Sequence, residues 1–310
     1  MKNIVAIDVG GTKIAGAVLR YDTADKAPEI TLRRAVPTDA ARGGAAVMET
    51  IVGLATQLVD ECGAAIDAIG VGTAGRVDAT TGGIAFANDL MPGWTGTPVR
   101  QVLEDRLGLP CAVLNDVQAH ALGEARWGAA NGAREVVVVA AGTGLGGAII
   151  TGGAVMRGTH GFAGELGHTV HPAAAGITCA CGGTAHLETV ASGSGIEDRY
   201  FDATQIRRSG VEISQLANEG DEAAVAVIRQ AGRALGEAIA SWVNMLDPQM
   251  IIVSGSVVKA GAIWRDALDE GYGSQMQDGQ NKPPVVEATL GGDAPLVGAA
   301  ENALDMLNSR

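Results

Sequence analysis

Apolar and polar positions follow two rhythms along this chain, one with the period of a strand and one with the period of a helix. Asn3 to Val9 is a β-branched apolar run that breaks at Gly10-Gly11, and a second apolar run, Thr12 to Leu19, follows at once, so the chain opens as strand, glycine turn, strand. Ala45 to Cys62 has its apolar residues at helical spacing, Ile66 to Gly72 reads as a buried strand, Val99 to Leu107 as a helix and Cys111 to Leu114 as another strand. After Asn115-Asp116 the stretch VQAHALGEARW is again helical. Glu222 to Leu246 is a long helix stopped by Asp247-Pro248, and Met250 to Ser254 is a buried strand running into Gly255. Strands alternating with helices predict an α/β fold with mostly parallel sheets.

Val136 to Met156 is uncharged and long enough to suggest a membrane span, but six of its residues are Gly, so it reads as strand, turn, strand. It also repeats the start of the chain. A shift of 131 positions lays Val139 to Ile149 over Asp8 to Val18, matching Gly142-Thr143 with Gly11-Thr12 and Gly147-Ala148 with Gly16-Ala17. A duplicated fold follows. At 310 residues two domains are expected, one of residues 1–117 with a last helix from about Gly298 folding back to add 298–310, the other of residues 118–297.

A formal charge of -13 argues against a nucleic-acid surface, which requires clustered Lys and Arg. The apolar stretch near the N-terminus is interrupted by Asp8 and is too short for a signal peptide, so no membrane or export route is expected. Of the four Cys, Cys179 and Cys181 stand one residue apart, a spacing that suits a metal better than a disulfide, and a reducing cytoplasm fits.

Asp8, Gly10, Gly11, Thr12 and Lys13 lie where a strand ends in two glycines, so backbone N–H groups can approach a phosphate and Asp8 can hold Mg²⁺ through water; an ordinary Gly-Gly hairpin is the competing reading. Gly142, Thr143, Gly144 and Gly146 form a second such loop. What flanks it is strand-like rather than strand and helix, which argues against a dinucleotide fingerprint. Asp116 sits at the C-terminal end of a strand, where it can abstract a proton or simply cap the next helix. His168, Cys179, Cys181 and His186 are a donor set for a structural Zn²⁺, with His171 as a spare ligand; buried thiols and surface imidazoles are the plainer alternative.

These blocks together resemble the bacterial ROK family, named for repressors, open reading frames and kinases, of the actin-like and hexokinase-like ATPase superfamily. The resemblance spans essentially the whole chain through DVGGTK, VGTAGRVD, PGW, LNDVQAHALGE, AGTGLGGAI, GELGH, CACGGTAHLE and DAPLVGAA. It implies a two-domain fold with duplicated mixed sheets and a cleft between them, with both glycine loops on the ATP phosphates and Asp116 as the base that deprotonates a sugar hydroxyl. Asn115, Glu165, His168 and Glu188 would bind the sugar's other hydroxyls, His168 giving one ring nitrogen to zinc and the other to the sugar. Two positions depart from the family pattern: His186 stands where a Cys is usual, and FANDLMPGW offers both Asn88 and Asp89 as the sugar-contacting residue.

The resemblance implies a hexose kinase using ATP and Mg²⁺, glucose to glucose 6-phosphate first and N-acetylmannosamine second, working as a homodimer or dimer of dimers. A sugar-responsive repressor of the same family is the reading from another class. Such proteins carry a helix-turn-helix before the first glycine loop, and only seven residues precede Asp8 here, in an acidic chain.

Overall fold

The computed structural model of the protein describes residues 1–23, 25–87 and 91–309. In chain order its elements are β1 (Lys2–Val9), β2 (Lys13–Tyr21), β3 (Glu29–Pro37), α1 (Gly44–Cys62), β4 (Ala68–Thr73), β5 (Arg76–Val77), β6 (Ile84–Phe86), α2 (Val99–Leu107), β7 (Cys111–Asn115) and α3 (Asp116–Trp127). There follow β8 (Val136–Ala141), β9 (Leu145–Thr151), β10 (Ala154–Val155), α4 (Glu188–Ala191), α5 (Gly193–Thr204), α6 (Gly210–Asn218), α7 (Glu222–Leu246), β11 (Met250–Ser254), α8 (Ala262–Ser274), β12 (Val285–Glu287) and α9 (Ala294–Asn308).

Two five-stranded sheets carry the fold, ordered β3-β2-β1-β4-β7 and β10-β9-β8-β11-β12. The two orders correspond strand for strand, as the internal repeat anticipates. In the first, β1, β4 and β7 are parallel while β2 and β3 are antiparallel additions; in the second, β8, β11 and β12 are parallel and β10 is antiparallel to β9. Each sheet is therefore mixed, with its parallel strands buried as unbroken apolar runs: every residue of β4 is buried. The long uncharged stretch is β8, β9 and β10, and no helix among the described residues is long and apolar enough to cross a membrane.

Contacts gather the chain into two compact units. One comprises Met1–Arg134, Ile149–Ala163 and Thr289–Arg310; the other comprises Glu135–Ala148 and Gly164–Ala288. A division at 117 and 298 would cut through α3 and α9, which pack on each other inside the first unit. The last helix also starts at Ala294, with Pro295 in its first turn, four residues ahead of Gly298. The first unit's core gathers β1, β2, α1 and Trp94 of the PGW block, whose fully buried indole N–H donates to the Ala74 carbonyl at 3.2 Å. The second is built round α7 with Trp264 and Tyr272 of α8.

Helix α9 approaches α3 and β4 at backbone distance. A Cβ on Gly298 would lie 1.7 Å from the Ala119 carbonyl oxygen, on Gly123 2.2 Å from that of Ala294, and on Gly70 1.9 Å from that of Ala299. Beyond this contact the fully buried Glu124 carboxylate accepts from the backbone N–H groups of Ala129 (2.9 Å), Thr289 (3.0 Å) and Leu290 (2.7 Å), tying the end of α3 to the segment that leads into α9.

The close packing makes a paired prediction. Gly298→Ala is expected to cost roughly 1–3 kcal/mol or more, as overpacking against a rigid carbonyl does. Gly53→Ala, on a face of α1 where an added Cβ meets nothing within 4 Å, is expected to gain up to about 1 kcal/mol from helix propensity. Urea midpoints of the two variants should move in opposite directions; a Gly298→Ala protein as stable as the parent would refute the packing argument.

Candidate active site

In the first unit, Asp8 lies near the end of β1, paired in register with Ala15 of β2 and Gly72 of β4. The turn that follows is held by Gly10 N–H donating to the Lys13 carbonyl at 3.1 Å, by Thr38 Oγ donating to the Gly10 carbonyl at 2.6 Å and by Thr38 N–H donating to the Thr12 carbonyl at 3.0 Å. Thr38, which sequence reading missed, is buried and fixes the loop from the side. Gly11 has no positive φ, and an added Cβ there would meet nothing within 4 Å; Gly142 likewise has no positive φ, and the nearest atom to a Cβ there is 4.0 Å away. Neither turn geometry nor crowding within the protein requires glycine at these two positions.

The corner between β7 and α3 places the other carboxylate. Asn115 is the N-cap of α3: its Oδ1 accepts from Val117 N–H at 2.9 Å and Gln118 N–H at 3.3 Å, and Gln118 Oε1 accepts from Asn115 N–H in return, a capping box. The Asn115 Nδ2 donates to the Gly75 carbonyl at 2.9 Å, so both ends of this amide serve the fold. Asp116 is the first residue of the helix rather than its cap, with Oδ1 also accepting from Val117 N–H at 2.9 Å. Burial foremost, then the charge of Asp116, raise the pKa of Asp8 to about 6, and Lys13 opposes the shift.

In the second unit the loop from Gly142 to Gly147 is laced to the start of α5, whose Gly193 and Ser194 N–H groups donate to the carbonyls of Gly142 (2.7 Å) and Thr143 (3.1 Å). Glu188, the first residue of α4, accepts from Leu145 N–H at 2.8 Å through Oε2. A Cβ on Gly144 would sit 2.7 Å from that same oxygen. The sequence pointed Glu188 at a sugar; its contact with the second glycine loop was not legible there.

The four expected metal donors do converge. The donor atoms of His168, Cys179, Cys181 and His186 all lie within 4.8 Å of one another, with His168 Nδ1 3.3 Å from His186 Nδ1 and 3.8 Å from Cys179 Sγ, and Cys181 Sγ 3.1 Å from His186 Nδ1. Tetrahedral Zn²⁺ with bonds of about 2.0–2.3 Å needs ligand separations of roughly 3.3–3.8 Å, so the set fits. His168 turns its Nε2 the other way, 3.8 Å from Glu165 Oε2. His171, the spare candidate, is elsewhere: its Nδ1 accepts from Ala173 N–H at 3.2 Å and its Nε2 lies 3.5 Å from Glu237. All four cysteines are free thiols. Asn88 and Asp89, the rival sugar contacts, lie outside the described residues.

The raised Asp8 pKa carries a stability consequence. A carboxyl whose folded pKa stands at about 6, against 3.8 unfolded, adds stability that is full below about pH 4 and is lost as pH rises through 6. Asp8→Asn should therefore make the ligand-free protein more stable than the parent at pH 7.5, by on the order of 2 kcal/mol, with the gap closing toward pH 4. Urea unfolding across this range checks it; equal midpoints at pH 7.5 would show that burial does not strain this carboxylate.

Comparison with known proteins agrees in fold and length. Residues 4–305 match the model of the ROK family. A glucokinase of Streptomyces coelicolor is 33% identical, with 96% of each chain covered. The crystal structure of a ROK hexokinase from Thermus thermophilus superposes with a TM-score of 0.90 at 34% identity, covering 99% of this chain and 100% of that one. A ROK family glucokinase from Streptomyces griseus, in complex with glucose and AMPPNP, gives a TM-score of 0.78 at 31% identity over 98% of this chain and 99% of that one. With its duplicated sheets, paired glycine loops and His/Cys cluster in family order, this chain belongs to the ROK family.

Proposed function

We propose that this protein transfers the γ-phosphate of ATP to glucose, giving glucose 6-phosphate, with Asp116 as the general base. The chain is an ATP-dependent sugar kinase, by its family and by its likeness along its whole length to glucokinases and a ROK hexokinase. What supports the site assignment is that the two glycine loops, at Gly10-Gly11 and from Gly142 to Gly147, each follow the end of a strand in corresponding sheets, with Gly11 and Gly142 uncrowded by the protein's own atoms.

In this reading the loop of Gly10, Gly11, Thr12 and Lys13 and the loop of Gly142, Thr143, Gly144 and Gly146 offer backbone N–H groups, hydroxyls and a cation to the ATP phosphates. Asp8 would hold Mg²⁺, which when bound would supply positive charge to offset that on the transferred group. Because Asn115 caps α3, the helix does not depend on Asp116, whose carboxylate takes the proton of the attacking hydroxyl. Asn115, Glu165, His168 and Glu188, together with Asn88 or Asp89, orient the sugar. Glu188 braces the second glycine loop as well, so it links acceptor and nucleotide sides of the reaction. His168, Cys179, Cys181 and His186 would hold Zn²⁺, which would supply a cross-link that fixes His168 with its Nε2 on the side of Glu165. A homodimer or a dimer of dimers is the assembly we propose for it.

Two outcomes test this reading. Asp116→Asn should lower kcat by roughly 10²- to 10⁴-fold while leaving glucose affinity and melting temperature nearly unchanged, since Asn still bonds a hydroxyl and Asn115 still caps the helix. Single-turnover phosphorylation within threefold of the parent would end the base assignment. Faster turnover of N-acetylmannosamine than of glucose in the same assay would move the substrate. Metal analysis should find about one Zn²⁺ per chain, lost together with stability in Cys181→Ser; active protein without zinc would remove the metal from the account.

A further inference from the structure

Among the four converging donors, His186 poses a problem of space. An imidazole brings a ring of five atoms to a position where a thiol would bring one sulfur, and the turn that carries Cys179 and Cys181 runs close beside it. Room for the ring is found at Gly183. A Cβ on Gly183 would lie 2.7 Å from His186 Nε2, closer still to Cε1, and 3.3 Å from Nδ1, all inside ordinary van der Waals contact. Backbone shape does not call for glycine there: Gly182 has a φ of 89°, but Gly183 has no positive φ. The place that a Cβ would fill is taken by the ring.

Neither backbone is free to give way. On one side the Gly183 carbonyl accepts from Cys179 N–H at 2.8 Å, and Thr178 bridges to Thr184 across the turn. On the other, Ala185 N–H donates to the Ile177 carbonyl at 2.8 Å, the Ala185 carbonyl accepts from His171 N–H at 2.9 Å, and Leu187 N–H donates to the Thr169 carbonyl at 2.9 Å. The carbonyl of His186 itself accepts from Thr189 N–H at 3.1 Å and from Thr189 Oγ at 2.9 Å. Ala185 also has a φ of 61°, a left-handed conformation that costs a residue with a Cβ, so the direction in which His186 leaves the backbone is held against strain.

An added methyl at 183 is therefore accommodated by turning the His186 ring about its own side-chain bonds. That motion is easy for an unliganded imidazole. It also carries Nδ1 away from Cys181 Sγ and His168 Nδ1, which it now faces at 3.1 Å and 3.3 Å.

We propose that Gly183 is a positioning residue of the metal site, the one that lets an imidazole serve as its fourth donor. The proposal rests on the assignment of His168, Cys179, Cys181 and His186 to Zn²⁺. Metal affinity then depends on a residue that offers no ligand atom, and so does the hold on His168, whose Nε2 lies on the side of Glu165.

The test uses the full-length protein and Zn²⁺ alone, with affinity read by competition against a chromophoric chelator. Gly183→Ala should weaken Zn²⁺ binding by roughly 10- to 100-fold, the usual effect of disturbing a residue that orients a ligand. In a His186→Cys background the same change should alter affinity by less than about threefold, because a cysteine carries no ring to displace. A His186→Ala background, which needs no replacement ligand, should be equally indifferent. Without metal, the urea midpoint of Gly183→Ala should be no lower than the parent's, since the unliganded ring turns aside. An equal loss of affinity in the two His186 backgrounds, or a lower metal-free midpoint, would place the effect in the backbone of the turn and overturn the proposal. A parent that binds no Zn²⁺ overturns the donor assignment and the proposal together; a parent and a Gly183→Ala protein that bind Zn²⁺ alike overturn the proposal alone.

Discussion

The first unit depends on the approach of α9 to α3 and β4 at backbone contact. Helices usually pack with axes about 8–10 Å apart, spaced by their side chains. Here Gly70, Gly123 and Gly298 remove the spacer at three points, and carbonyl oxygens of one element fill the place of a Cβ on the other. Close packing of this kind leaves little tolerance. Because Asp116 begins α3 and Gly72 pairs with Asp8 through β4, the same contact that seats α9 also sets the height of one carboxylate and the register of the strand beside the other. Glu124 closes the far end of the arrangement by accepting from three backbone N–H groups, two of them in the segment that leads into α9.

Charge is distributed in a way that the chemistry explains and stability alone does not. Two carboxylates, Asp8 and Asp116, lie near enough for one to raise the pKa of the other, with Lys13 the opposing cation. The protein as a whole carries a net charge of -13, yet its reaction needs a polyanion. In the function proposed above, backbone N–H groups of the two glycine loops would meet this need together with Lys13, and a divalent cation brought with the nucleotide would relieve the carboxylates. Burying Asp8 costs stability in the ligand-free protein, and its proposed role as a cation ligand would make this a conflict between folding and function of the usual kind at active sites.

Several elements were legible because their signals are local. The opening hairpin broken at Gly10-Gly11, the long helix from Glu222 to Leu246 and the buried strand Met250–Ser254 follow from runs and periods contained in the segments themselves. β3 escaped the same reading: its Arg33 and Arg34 break the apolar rhythm, and only Leu32 and Val36 reach the core, as suits an edge strand with one face in water. The start of α9 was misplaced because its first turn, Ala294 to Val297, contains Pro, which ends a helix in its interior but is welcome at its first positions.

By itself the sequence determined which chemical groups were present, in which order, and on which kind of element: two glycine turns after strands, a carboxylate opening a helix, two thiols between two imidazoles. Those features depend on hydrogen bonds and periodicities within a few residues. Only the tertiary structure decided which glycines serve packing, as Gly298 does, and which are left uncrowded, as Gly11 is; the two differ in what lies opposite, not in the residue. It likewise decided that Asn115 caps α3, that His171 stays out of the metal set and that Glu188 reaches a loop 43 residues away. Each of these is a meeting of segments distant in the chain, and such meetings are set by how sheets and helices pack in three dimensions, which no local pattern encodes.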